Sequence, residues 1–141
     1  MKHMPQVIAM MTPFPYSIDL DATLAEARLM MDARDIRHLP VTRHGQLCGV
    51  LSDRDLRVAS GPGPERSADA PLRVRDVYHD EAYTVEADAP LDVVAQTMAD
   101  RHIGSAMVMR GGKLVGVFTA TDACRALAEI IEGHPSETDD I

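Results

Sequence analysis

Apolar and polar positions follow the same order twice along the chain. In the first block a short extended piece, Ser17-Ile18, precedes Leu24, Ala27 and Met31, which are spaced as one face of a helix. Thr23-Leu-Ala-Glu26 opens that helix with a capping-box pattern. Two strands are predicted next, Leu39–Thr42 and Leu47–Leu51, joined at Arg43-His-Gly45, which suits a tight hairpin. A last helix starts at Ser52. The second block repeats this with Thr84-Val85, then a helix with Pro90 at its first position and Leu91, Val94 and Met98 as its stripe. The strands Ala106–Met109 and Leu114–Phe118 follow, joined at Arg110-Gly-Gly112, and a helix starts at Thr119. Strand, helix, strand, strand, helix, twice over, predicts an α+β fold. Runs such as Val115-Gly-Val-Phe118 are apolar on both faces, so helices should cover the small sheets.

The repetition extends to residue identity. Tyr16-Ser-Ile-Asp-Leu-Asp-Ala-Thr-Leu24 falls on Tyr83-Thr-Val-Glu-Ala-Asp-Ala-Pro-Leu91, and Gly45-Gln-Leu-Cys-Gly-Val50 on Gly112-Lys-Leu-Val-Gly-Val117. The match runs without a gap from Val7/Val74 to Ala59/Ala126, so the chain reads as two copies of one supersecondary unit with pseudo-twofold symmetry. The expected division is residues 5–60 for the first repeat, 61–72 for a linker, 73–128 for the second repeat and 129–141 for a tail. Alternating Gly and Pro after Ser60 mark the linker as exposed. The acidic Gly133-His-Pro-Ser-Glu-Thr-Asp-Asp140 reads as disordered.

Composition narrows the function classes. The chain has 141 residues, 45% of them hydrophobic, enough for a core without staples. With no Trp, three Tyr and two Phe, that core must use aliphatic side chains and Met, and Met30, Met31, Met98, Met107 and Met109 read as core and dimer-face residues. The net charge of −8 and the lack of a Lys/Arg cluster argue against duplex nucleic acid and against anionic membranes. Cys48 and Cys124 form no C-x-x-C pair; Cys48 reads as a buried small hydrophobe and Cys124 as a residue on a packing face of the last helix. No apolar run reaches the roughly 20 residues of a membrane span, and none follows the opening Met-Lys-His-Met-Pro, so a cytoplasmic protein is expected. The six His show no metal-ligand spacing, and five of them read as surface residues.

The end of each hairpin carries the most specific motif: Gly49-Val-Leu-Ser52-Asp-Arg-Asp55 and Gly116-Val-Phe-Thr119-Ala-Thr-Asp122. With Ile36-Arg-His-Leu-Pro-Val41 upstream, the repeat resembles the CBS domain, and the pair resembles the Bateman module, over about residues 5–128. The resemblance implies a non-catalytic regulatory module that binds AMP, ADP, ATP or S-adenosylmethionine in the cleft between its repeats. In such modules the Asp accepts from the two ribose hydroxyls and the adenine side comes from the other repeat. One implied site is therefore Ser17, Ala22, Ile36, Arg37, His38 and Pro40 with Thr119 and Asp122. The other is Thr84, Ala89, Ile103, Gly104 and Ser105 with Ser52 and Asp55. Chemistry agrees, since a carboxylate only accepts and can take two donors from a vicinal diol, and helix N-termini suit phosphate. Arg37-His38 stand where the second repeat has Gly104-Ser105, so the Asp122 site has the better cations. No cofactor is required; Mg²⁺ would enter only as companion to a nucleotide. The resemblance also implies a homodimer joined through helices, with faces around Leu24–Met31, Leu91–Met98, Val58-Ala59 and Ala126–Ile131, and a protein target acting in trans.

Other readings stand beside this one. Ser52-x-x-Asp55 and Thr119-x-x-Asp122 are also capping boxes with Asp in place of Glu, and cap and ligand roles can coexist. Arg37 and His38 can equally be a solvated strand edge. A structural dimerisation module with empty pockets fits the same residues. An enzyme does not, because no nucleophile–base pair, metal cluster or phosphate-binding Gly-rich loop is visible.

Overall fold

A computed structural model of the chain describes residues 4–13, 16–60 and 71–133. Of the linker expected at 61–72, residues 61–70 lie outside the described residues, as do 134–141 of the tail expected at 129–141; residues 129–133 instead continue the last helix, Ala120–Gly133. The elements, in order, are a 3₁₀ turn at Val7–Ala9, β1 (Thr12–Pro13), β2 (Ile18–Asp19), α1 (Leu24–Arg34), β3 (His38–Arg43), β4 (Gln46–Ser52) and α2 (Asp53–Ala59). A second 3₁₀ turn at Val74–Asp76 then leads to β5 (Thr84–Glu86), α3 (Leu91–Arg101), β6 (Ser105–Arg110), β7 (Lys113–Thr119) and α4 (Ala120–Gly133). Two α+β repeats of the expected element order are present.

The helix stripes arise as the spacing requires. Ala27 and Met31 of α1 are buried, as are Leu91, Val94 and Met98 of α3. The Thr23 hydroxyl accepts from the Glu26 amide, the hydroxyl half of a capping box. Pro90 differs from expectation: its extended backbone (φ −63°, ψ 134°) makes it the N-cap, one position before the helix. Both helices end on a left-handed residue, Asp35 and His102. Each hairpin closes on two residues of positive φ, His44-Gly45 and Gly111-Gly112, the backbone signature of a type I′ turn.

The chain folds as two compact units, and these cross the sequence order. One comprises Pro15–Ala82; the other joins Met1–Phe14 to Tyr83–Ile141. In the first, β2 runs parallel to β3, which pairs antiparallel with β4. In the second, the sheet order is β1-β7-β6-β5. Each repeat's leading turn thus packs on the other repeat's sheet and helices. Val74 is fully buried among Ile18, Met31, Leu39, Leu51 and Leu56. Val7 is fully buried among Leu91, Val94, Val108 and Phe118. Backbone bonds seat the turns, from Val74 N to the Ala22 carbonyl and from Val7 N to the Ala89 carbonyl, both 2.8 Å.

Met31, Met98 and Met107 are core residues, with Met30 and Met109 partly buried. Cys48 is half-buried against the first core. Cys124 does not pack into the core of its own unit. It is exposed, because Asp122 and Ala126, one turn apart, form the buried side of α4 and residue 124 points away from them.

Candidate functional site

Each repeat brings one aspartate to the junction of its last strand and last helix. The strand ends at Ser52 or Thr119, and the helix begins at the next residue. In the first repeat Asp55 Oδ2 accepts from the Ser52 amide at 2.8 Å, while Ser52 Oγ accepts from the Asp55 amide at 3.1 Å. In the second, Asp122 Oδ2 accepts from the Thr119 amide at 2.9 Å, and the Thr119 hydroxyl accepts from the Asp122 amide at 3.2 Å. Both motifs are therefore closed capping boxes, as one of the sequence readings held. The Thr119 hydroxyl also donates to Asp122 Oδ2 at 3.1 Å.

The outer oxygens differ in their partners, and the sequence reading missed all three of these. Asp55 Oδ1 is 2.8 Å from His79 Nε2. Asp122 Oδ1 accepts from the Thr12 hydroxyl at 3.2 Å and from Arg125 Nη1 at 3.1 Å. Thr12 and His79 are matching positions of the duplication, both on the exchanged leading segments. Their dissimilar side chains hide the correspondence; His79 is exposed and still reaches the carboxylate. Arg125 corresponds to Val58, so only the second repeat adds a cation here. Asp122 is 5% exposed.

The leading segments reach the carboxylates because Gly49 and Gly116 let them. His79 exchanges backbone hydrogen bonds with Val50, at 2.9 and 3.0 Å. A Cβ on Gly49 would collide with the His79 carbonyl and come within 2.8 Å of the Tyr78 ring. A Cβ on Gly116 would meet the Met11 sulfur and come within 2.9 Å of the Thr12 carbonyl. Glycine at these two strand positions is a requirement for close backbone approach.

The remaining sequence-derived candidates sit as follows. His38 pairs in register with Ser52, and the Arg37 carbonyl accepts from Asp53 N at 2.7 Å, so both lie in the unit that holds Asp55. Ser105 pairs with Thr119, and the Gly104 carbonyl accepts from Ala120 N at 3.0 Å, in the unit that holds Asp122. Arg37, Ser17 and Thr84 are exposed; His38, Ala22, Ala89, Ile36, Ile103 and Gly104 are half-buried; Pro40 and Ser105 are buried. Ala22 and Ala89 have both backbone groups engaged, their amides on Asp19 and Glu86 and their carbonyls on Val74 and Val7. What they offer a ligand is a methyl face.

Burial pushes the His38 imidazole below its ordinary pKa, partly offset by the charges of Asp55 and Asp53. Asp53 is held below the usual carboxylate range by its hydrogen bond to Arg28, 2.7 Å away. Arg57 adds a second contact to Asp53 at 3.0 Å. The second repeat has Ala95, Ala120 and Cys124 at the three matching positions.

Comparison with known proteins finds the same duplication. The CBS domain family matches residues 7–61 and again 74–129. The chain belongs to the CBS domain family. A CBS domain-containing protein of Dictyostelium discoideum is 30% identical over 132 residues, 87% of this chain and 91% of the relative. A crystal structure of an acetoin utilization protein, AcuB, from Vibrio cholerae superposes with TM-score 0.80 at 32% identity, covering 92% of this chain and 95% of that one. The CBS domain pair of protein MJ0100, solved with 5′-methylthioadenosine and S-adenosyl-L-methionine, superposes with TM-score 0.77 at 22% identity, covering 89% and 98%. CBS pairs are regulatory modules and not catalysts, and this CBS pair has their α+β fold in both repeats. No helix among the described residues is long and apolar enough to cross a membrane.

Proposed function

We propose that this CBS pair is a regulatory module that binds adenosine-containing ligands, AMP, ADP, ATP or S-adenosylmethionine, and passes their level to a protein target in trans. The observation that carries the reading is the division of labour on each carboxylate. One oxygen closes the helix cap, and the other faces a polar side chain that a ribose hydroxyl can replace or join. Ser52 and Thr119 stand beside these acids. The residues assigned to the adenine side, Ser17, Ala22, Ile36, Arg37, His38 and Pro40 for Asp122, and Thr84, Ala89, Ile103, Gly104 and Ser105 for Asp55, complete the proposed sites as the family pattern implies. The solved MJ0100 pair supports the ligand class. Exposed Leu29, Val58, Val93, Leu127 and Ile131, all on helices, support a homodimer formed through helix faces. Two unpaired cysteines, Cys48 and Cys124, fit work in the cytoplasm.

The closed capping boxes favour a second reading, a structural module whose aspartates serve only as caps. Melting curves separate the two. A ligand at 100 times its dissociation constant stabilises the native state by about 2.7 kcal/mol, a rise of roughly 5–10 °C for a chain of this size. At least one of the four ligands is expected to give this rise, and Asp122→Ala to shrink it strongly while still folding. Unchanged curves across the panel would leave the structural module.

A further inference from the structure

Counting donors on the two carboxylates separates them in a way that the shared motif does not. An ionised carboxylate has about four acceptor positions. Asp122 already accepts from four groups: the Thr119 amide, the Thr119 hydroxyl, the Thr12 hydroxyl and Arg125 Nη1. Asp55 has two partners among the described residues, the Ser52 amide and His79. A vicinal diol brings two donors. Asp55 can take both with its present partners in place; Asp122 can take them only by giving partners up.

Which partner Asp122 gives up follows from the geometry. The Thr119 contacts belong to the helix cap. Arg125 is a charged donor on the same helix, three residues on. The Thr12 hydroxyl makes the longest contacts, 3.2 Å to Oδ1 and 3.4 Å to Oδ2, and comes from outside the helix, on the edge strand of the sheet. Among the described residues its strand β1 is two exposed residues, paired with β7 through Thr12↔Val117 and Pro13↔Gly116. Val7 is fully buried upstream and anchors the rest of the segment. His79 stands at the matching place, paired with Val50, but on a carboxylate with acceptor positions to spare.

We propose that Thr12 is a ligand-displaced latch: a ribose diol on Asp122 releases the Thr12 hydroxyl and with it β1 from the edge of β7, whereas a diol on Asp55 leaves the 71–82 segment docked. This rests on the nucleotide-binding reading, and gives it a regulatory output. Occupancy of the Asp122 carboxylate alone changes the edge of the second repeat's sheet. Occupancy of Asp55 is silent at the corresponding place.

Adenosine is the probe, since it carries the diol without phosphate. Its affinity is measured in Asp55→Ala and Asp122→Ala, which each leave one carboxylate. Thr12→Val in the Asp55→Ala background should tighten adenosine roughly 3- to 10-fold, because a competing donor is gone. His79→Val in the Asp122→Ala background should change it less than 3-fold. Amide hydrogen exchange at Thr12 and Val117 gives a second readout. Adenosine should speed it in Asp55→Ala, and Asp122→Asn should speed it with no ligand at all. If adenosine binds and Thr12→Val weakens or does not alter it, the latch is overturned. If adenosine binds nowhere, the nucleotide reading fails, and the ligand-free exchange still decides the contact: unchanged protection in Asp122→Asn overturns it.

Discussion

The two repeats share a motif but not a chemical environment. Around Asp122 the second repeat gathers Thr12 and Arg125 on a side chain that is 5% exposed. Around Asp55 the first repeat has one imidazole on a carboxylate that is 14% exposed, with half-buried His38 close by. The first repeat instead ties α1 to α2 through Arg28, Asp53 and Arg57, where the second has Ala95, Ala120 and Cys124. Duplication has kept what builds the scaffold, the glycine, the cap and the apolar stripe. It has let the charged groups diverge. A site built on such a scaffold takes its selectivity from those divergent neighbours.

Substitution at the two glycines should break the comparison most sharply. Gly49→Ala drives a methyl into the His79 backbone carbonyl, which cannot yield without undocking the 71–82 segment. Gly116→Ala first meets the end of the flexible Met11 side chain, although the Thr12 carbonyl is also near. Overpacking of this kind costs about 1–3 kcal/mol. Gly49→Ala is expected at or above the upper end and Gly116→Ala nearer the lower, read from urea unfolding midpoints. Equal losses would show that the two segments dock equally rigidly.

Removing the acids comes next. Asp122→Ala unpairs the Thr119 amide and leaves Thr12 and Arg125 without their partner; Asp55→Ala unpairs Ser52 and His79. Loss of a capping side chain costs about 0.5–2 kcal/mol. Asp122→Ala should fall at the top of that range and Asp55→Ala near 1, with denaturant titration as the check. The reverse order would place the better-satisfied acid in the first repeat.

The smallest expected difference is in pH. His38 has its pKa depressed by burial in the fold. The unfolded chain therefore binds the proton first as pH falls. Stability is intact above roughly pH 6.5, declines as pH drops below it, and levels off once the folded imidazole is also charged. His38→Gln should flatten the melting temperature between pH 7 and pH 5, a change on the order of a few degrees. The second repeat has Ser105, which carries no titrating group, at the matching position. A slope unchanged by His38→Gln would assign the decline to another group. Asp53, depressed by Arg28, contributes stability that is lost only at far lower pH.

How much of this could be read from the chain follows from what is local. Helix faces such as Ala27/Met31 and Val94/Met98, the hairpin turns and both capping boxes depend on residues within a few positions, and their spacing revealed them. The ungapped duplication gave the repeat order. The exchange of leading turns could not be read, because Val7 and Val74 suit either repeat's core and only tertiary packing decides between them. Thr12, His79 and Arg125 stayed hidden for a related reason. Thr12 and Asp122 are 110 positions apart, and nothing in either neighbourhood signals the contact. Cys124 is exposed because α4 packs into its own unit through a face narrow enough to leave Leu127 and Ile131 exposed as well.

The most direct test is a crystal structure of the chain grown with S-adenosylmethionine and AMP together. The account expects adenosine with its 2′- and 3′-hydroxyls within 3 Å or so of an Asp55 or Asp122 carboxylate oxygen, the cap to Ser52 or Thr119 still closed. Crystals from saturating ligand in which both carboxylates keep only their present partners, with no nucleoside on either, would contradict it.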